Sequence, residues 1–144
     1  MHMPAENLSV LDVFDPASST GGNGAWVPAA NHAKFLAMIG VGASAAGDID
    51  FKLQAADDAS GTNPVDIPSH SITTIAQAGA SSKQALIQLR QRAIPAGKTH
   101  IRMVPAAGTA SLIFAVLFGY EPFEVIPGVS RNKASVVQNV AVRP

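Results

Sequence analysis

The segment Asp48-Ile49-Asp50-Phe51-Lys52-Leu53-Gln54-Ala55-Ala56-Asp57-Asp58 decides the expected fold class. Its first eight residues alternate strictly between polar and apolar side chains. Successive side chains of an extended chain point to opposite faces of a sheet, so the pattern predicts a strand with one face on a core and the other in water. Residues 57–64 then contain Asp, Ser, Gly, Asn and Pro, which favour turns. We expect a strand that ends in a turn.

Other extended segments recur along the chain, separated by clusters of Gly, Pro, Ser and Asn at the spacing of a β-sandwich or barrel. The loop 40–47 is expected to join two of them as a hairpin. All-β is therefore the predicted class. Besides 48–56, the expected strands are residues 8–14, 25–27, 32–41, 65–67, 70–75, 98–104 and 111–118.

The stretch 82–93 fits two structures. Leu86, Leu89 and Ala93 form a helical stripe that Ser82 could cap, whereas Ile87 and Leu89 alternate with polar neighbours as in a strand. We favour a strand, because a single helix among sheets is the less economical assignment. The sequence does not exclude a helix at residues 82–93.

Composition limits the classes of partner. The chain has 144 residues, no cysteine, and ten basic against ten acidic residues, with a charged fraction of 14%. This length predicts a single domain that is large enough to bury a core without disulfides. The lack of excess positive charge disfavours nucleic acid and anionic membranes as partners, and the longest apolar run, 112–118, is far short of a membrane span. The first six residues lack the features of a secretory signal, so we expect no targeting segment. Protein partners are favoured instead.

The expected strand 111–118 is apolar on both sides, whereas a two-layer sandwich covers only one. A partner subunit, a loop or the carboxyl-terminal tail would have to cover the other, and the low charge favours a partner subunit. From residue 121 onward the chain is interrupted by prolines and is expected to form an extended arm. The candidate interface residues are Leu112, Phe114, Val116, Phe118, Tyr120 and Phe123.

The sequence contains no complete catalytic or cofactor motif. Gly40, Gly42 and Ala45 match a dinucleotide-binding spacing, but a strand rather than a helix is expected to follow. Neither Ser44 nor Ser130 lies in a nucleophile elbow. We therefore expect no catalytic residues, no bound cofactor and no enzymatic activity.

Metal-binding patterns are equally weak. The four histidines stand alone in the sequence, without a second ligand at the short spacings that metal sites use. Asp57, Asp58 and Ser60 lack the alternate-position oxygens and the distal glutamate of a calcium loop, so a turn is the favoured interpretation. No metal site is predicted.

The order of these features resembles the small structural proteins of tailed bacteriophages, in particular capsid decoration, or cement, proteins encoded near the major capsid protein. The resemblance spans about residues 8–120 and lies in the Trp26-Val27 pair after a Gly-rich loop, the 48–61 strand and turn, Lys83–Arg90, and the strands at 99–103 and 112–118. It implies a β-sandwich, often homotrimeric, that binds the outer surface of the assembled capsid and bridges capsomers without catalysis. The implied partner is the major capsid protein, and the implied location is the virion.

The sequence thus predicts a jelly-roll-like antiparallel β-sandwich over residues 1–120, with extended terminal arms, the carboxyl-terminal one over residues 121–144. Two alternatives stay open. A carbohydrate-binding sandwich would stack sugars on an exposed aromatic such as Trp26 or Tyr120, although Trp26 is expected to be a core anchor. A tail or neck component of the same virion would share the composition.

Overall fold

A computed structural model describes residues 7–43, 47–76 and 82–123, and nearly every element in it is an antiparallel strand. The expected all-β class is confirmed. The strand favoured within 82–93 is also confirmed: it covers Lys83–Arg90 and is followed by a single 3₁₀ turn, Gln91–Ala93. The strands are β1 (Leu8–Gly21), β2 (Val27–Pro28), β3 (His32–Val41), β4 (Ile49–Ala56), β5 (Val65–Ser71), β6 (Lys83–Arg90) and β7 (His100–Pro122).

Strand β7, which has 23 residues, organises the sheet. Its first half pairs with β4 and its second half with β3, while β1 and β2 pair along its other edge. The strand order is β5-β4-β7-β3-β6. The two end strands, β5 and β6, approach each other, so the sheet nearly closes into a barrel-like sandwich. One half of the molecule is therefore β2-β7-β4-β5, and the other is β1-β7-β3-β6.

The core lies between these two halves, and β4 shows why the sequence places it there. Ile49, Phe51, Leu53 and Ala55 are each at most 1% exposed, whereas the side chains between them reach the surface. The predicted alternation is confirmed. Other strands contribute a matching row of buried residues, which includes Phe35, Ala37, Ile39, Ile87, Leu89, Ile101, Met103, Ile113, Ala115 and Leu117.

The predicted hairpin between residues 32–41 and 48–56 is wrong. β3 and β4 do not pair with each other; they follow one another along the same edge of β7, where Val41 lies opposite Ile113 and Ile49 opposite Ala107. β3 therefore ends, and β4 begins, beside two successive stretches of one long strand. A turn signal between two strands indicates that the chain bends there, and the sequence does not reveal which strand pairs with which.

The predicted break at residues 105–108 is also wrong, because β7 runs straight through it. The carbonyl of Pro105 accepts the N–H of Gly22 at 3.0 Å, so the backbone polar groups of Pro105 face the end of β1 rather than β4. The missing N–H of proline therefore removes no bond from the β4–β7 ladder. Pairing on the β4 side keeps the strand continuous.

Two smaller boundaries differ for similar reasons. β1 does not end at Asp15-Pro16 but continues to Gly21, with register shifts that accommodate the proline. β5 includes the short strand expected at 65–67 and continues to Ser71, so only the first two residues of the strand expected at 70–75 lie in a strand; Ile75 makes an isolated bridge to Ile49. The short strand expected at 25–27 is Val27–Pro28.

Candidate functional site

The second half of β7 has one buried face and one partly exposed face, both apolar. Ile113, Ala115 and Leu117 are fully buried in the core. On the opposite face, Leu112 is 43% exposed and Tyr120 is 40% exposed. Phe114, Val116 and Phe118 lie between them and are half-buried. Five of the six candidate interface residues therefore share one face, as the strand alternation requires.

The sixth candidate, Phe123, lies just beyond the end of β7. Its side chain is 62% exposed, and its N–H donates to the carbonyl of Asn31 at 3.1 Å. The predicted arm at residues 121–144 begins within β7, which continues to Pro122, and residues 124–144 lie outside the described part of the chain. The arm stays a prediction.

Neighbouring strands enlarge this face. Leu36 and Met38 of β3 lie opposite Phe118 and Val116, and Leu86 of β6, which is 58% exposed, lies opposite Met38. On the other side, β1 places two valines opposite the same two β7 residues. We call this surface the apolar outer face; it consists of Val10, Val13, Leu36, Met38, Leu86, Leu112, Phe114, Val116, Phe118 and Tyr120.

Two glycines, Gly40 in β3 and Gly42 just after its end, make this face flat. A Cβ atom built on Gly40 would lie 2.2 Å from the Phe114 ring, and one on Gly42 would lie 2.8 Å from Leu112. Both large side chains therefore lie down over glycine backbone instead of standing away from the sheet. A flat apolar surface of this kind suits the packing of a second sheet, in which side chains of two faces interlock across about 10 Å.

The outer face of the other half-sheet is polar and satisfied by its own bonds. Arg102 donates from Nε and Nη2 to Gln54 Oε1 at 3.0 and 2.7 Å, and Gln54 Nε2 donates to Asp66 Oδ1 at 2.7 Å. Lys52 Nζ completes the row with a 2.8 Å ion pair to Asp66 Oδ2. These two bonds from Lys52 and Gln54 lower the pKa of the Asp66 carboxyl. The two outer faces of one sheet thus differ in kind.

Trp26 belongs to this polar half and not to the core. The Arg102 guanidinium lies 4.3 Å from the centre of its ring, and Gly61 approaches the indole so closely that a Cβ there would be 2.2 Å from Nε1. The side chain is half-buried, so the expectation of a core anchor is wrong. Because Arg102 covers one face of the indole, that face is not open to stack on a sugar.

The turn after β4 is held by its own side chains. The Asp58 carboxylate accepts N–H bonds from Ser60 and Thr62 at 2.9 and 3.1 Å and the Thr62 hydroxyl at 2.7 Å, and these bonds, led by the hydroxyl, lower its pKa. Asp57 pairs with Lys98 at 2.7 Å, which is the main reason that its pKa is also lowered. The carboxylates of Asp57 and Asp58, which were considered as calcium ligands, are therefore engaged in stabilising the turn.

Metal-ligating side chains do not cluster in the described ranges. No three His, Asp or Glu side chains of residues 7–43, 47–76 and 82–123 are grouped as a metal site would require. The chain enters β4 at Ile49 after the glycine-containing loop, so no helix follows it to bind a pyrophosphate. In the same ranges, no helix has the length and hydrophobicity needed to span a membrane.

Comparison with known proteins identifies no family but shows a distant structural similarity. No family model matches the chain, and no curated protein matches it. Among solved structures, the chain is similar to the K1 cleaved adhesin domain of Lys-gingipain from Porphyromonas gingivalis W83. That match has 13% sequence identity, a TM-score of 0.39, and coverage of 77% of this chain and 72% of that chain.

Proposed function

We propose that this protein is a structural component of a tailed-phage virion that binds the outer surface of the assembled capsid and bridges capsomers. The apolar outer face is the observation that carries the proposal. It spans four strands and contains three aromatic rings, while the polar half of the same sheet satisfies its own side chains. Exposed apolar patches of this kind mark protein contacts rather than solvated surface.

In this proposal, the apolar outer face joins copies of the chain into an oligomer, for which a trimer is expected. The loops and terminal arms of the oligomer then contact the major capsid protein. Several weak contacts made at once give firm attachment through effective concentration. Binding to the assembled shell alone shifts the equilibrium towards the assembled state, which is how such a clamp stabilises a capsid. No cofactor or reaction is needed.

Co-sedimentation tests the proposal. The full chain is mixed with mature capsids, and separately with unassembled major capsid protein, of the phage whose genome encodes it. The chain should pellet with capsids and should not bind the unassembled protein. The double variant Leu86→Glu/Leu112→Glu should bind capsids about a hundredfold more weakly, because it loses the avidity of the oligomer.

Val65→Glu is the matched control, since Val65 is 38% exposed and lies on β5, outside the apolar outer face. Capsid binding by this variant should equal that of the unmodified chain. The proposal fails if the unmodified chain ignores mature capsids, or if the control loses binding to the same extent as the double variant.

A further inference from the structure

We infer that β6 is a docking edge for an extended, acidic segment of another protein, which adds to the sheet as a further strand. This inference concerns a sheet edge rather than the apolar outer face, and it holds whether or not the partner is a capsid protein. Three observations support it: the regularity of β6, the charges along it, and its continuity with the apolar outer face.

The first observation is that β6 is the most regular edge strand, although β5 approaches it without pairing. Among the described residues it pairs with β3 alone, in an unbroken register from Lys83 to Arg90. The other edges are disturbed: β1 has three register shifts and contains Pro16, and β5 has one register shift and contains Pro68. Bulges and prolines are among the devices that block strand addition at an edge; charged side chains are another, and on β6 they occur only at the two ends. β6 has neither a bulge nor a proline.

The second observation is an uncompensated positive charge. Residues 83–92 contain Lys83, Arg90 and Arg92 and no acidic residue. No described acidic side chain pairs with these three, although the other described lysines all form ion pairs and Arg102 bonds to Gln54. The basic residues flank the strand at its two ends. They would attract an incoming strand that carries acidic residues.

The third observation links this edge to the apolar outer face. Leu86 is at the middle of β6, is 58% exposed, and belongs to that face. Gln84 and Gln88, its neighbours on the same side, are exposed amides. A strand added beside β6 would place its own apolar residue next to Leu86 while its backbone bonds to the edge.

Charge also decides between occupants. A second copy of β6, added antiparallel, would bring Lys83 and Arg90 of both copies to one edge without an acidic residue of either strand between them, and like charges repel. The chain's own segment 124–144 contains three basic residues and one acidic residue, so it does not match the edge either. An acidic segment from a different protein does.

The test uses an eight-residue peptide in which valine alternates with glutamate, and a second peptide with lysine in place of glutamate. Amide chemical shifts of the full chain are followed during each titration. The glutamate peptide should shift residues 83–90 and bind more tightly than the lysine peptide. The affinity of the glutamate peptide should decrease as the salt concentration is raised from about 50 to 300 mM, because salt screens exposed charges. Equal binding of the two peptides, or shifts confined to other strands, would overturn the inference.

Two variants with the same change in net charge sharpen the test. Lys83→Gln/Arg90→Gln should weaken the glutamate peptide about three- to tenfold, as expected for two exposed charge contacts. Asn23→Glu/Ala59→Glu, which alters exposed loop positions, should change it by less than about twofold. If both variants weaken binding equally, the effect belongs to net charge and the docking edge is refuted.

Hydrogen exchange of the full chain without peptide tests whether β6 is already paired with a segment of the same chain or with a second copy. Alternate amides of residues 83–90 should exchange rapidly, as at an open edge, and should become protected when the glutamate peptide is added. Protection without peptide would overturn the inference. Protection that does not depend on protein concentration would identify a segment of the same chain as the occupant. Protection that rises with protein concentration would identify a second copy.

Discussion

The ring of Phe114 lies against the backbone of Gly40 on the neighbouring strand, so closely that a Cβ on Gly40 would be 2.2 Å from the ring. This contact makes the apolar outer face flat at its centre. A side chain at residue 40 would push the ring away from the sheet.

Gly40→Ala should therefore weaken self-association while leaving the protein folded. The ring can swing outward into solvent, and alanine is favoured over glycine within a strand, so the free energy of unfolding should change by less than about 1 kcal/mol. Self-association should weaken, because the displaced ring disrupts the flat face. Urea unfolding and sedimentation equilibrium measure the two effects.

Gly21→Ala provides the contrast. Gly21 has a φ of +99°, and a Cβ there would lie 2.3 Å from the carbonyl oxygen of Pro105, which is backbone and cannot swing away. This substitution should cost about 1–3 kcal/mol of unfolding free energy. An equal, small effect of both alanine variants would refute the difference between ring and backbone contacts.

Asp12 anchors the segment between β1 and β2 from inside the protein. It is 1% exposed, and its Oδ2 accepts the N–H of Ala25 at 2.9 Å. Asp12→Ala should lower the free energy of unfolding by about 1–3 kcal/mol, since it leaves a polar backbone group without this acceptor. Hydrogen exchange at the Ala25 amide should accelerate. Unchanged exchange there would contradict the anchoring role.

The contact between Arg102 and Trp26 can be measured with a double-mutant cycle. Trp26→Ala and Arg102→Ala should each destabilise the protein, and their coupling should be about 0.5–1 kcal/mol, as expected for a cation–π pair near the surface. Denaturant unfolding of the two single variants and the double variant gives the coupling. Additive effects would show that the ring and the guanidinium do not stabilise each other.

Acid should destabilise the polar half of the sheet. The pKa of Asp66 is below its ordinary value of 3.8 in the folded protein, because of its bonds from Lys52 and Gln54. The stability gained from this group is thus present above about pH 4 and is lost as pH falls through the lower, folded-state pKa. Asp66→Asn should reduce the dependence of stability on pH in that range, measured by urea unfolding at successive pH values. An unchanged dependence would contradict this contribution.

The features that the sequence predicts correctly are local ones. The alternation in β4 fixes its buried face because each side chain's direction follows from its position in the strand. The same rule places Leu112, Phe114 and Val116 together. What the sequence does not predict depends on pairing: Pro105 is tolerated within β7 only because its polar groups face the end of β1.

The missed parts of the candidate surface have the same origin. Leu86 joins the apolar outer face because β6 pairs with β3 in a register that places it opposite Met38. Trp26 lies outside the core, where the pairing of β2 with β7 places Arg102 beside it. Alternation in one strand shows which residues share a face, but the neighbours across the sheet depend on register. Covariation between paired positions of related sequences is a signal that reveals such neighbours.

The mass of the full chain in solution tests the central claim most directly. Sedimentation equilibrium should give an oligomer, with three times the 14.8 kDa chain mass expected. Leu86→Glu/Leu112→Glu should sediment as a folded monomer at the same concentration, and Val65→Glu should remain oligomeric. An unmodified chain that is monomeric at every concentration would contradict the account.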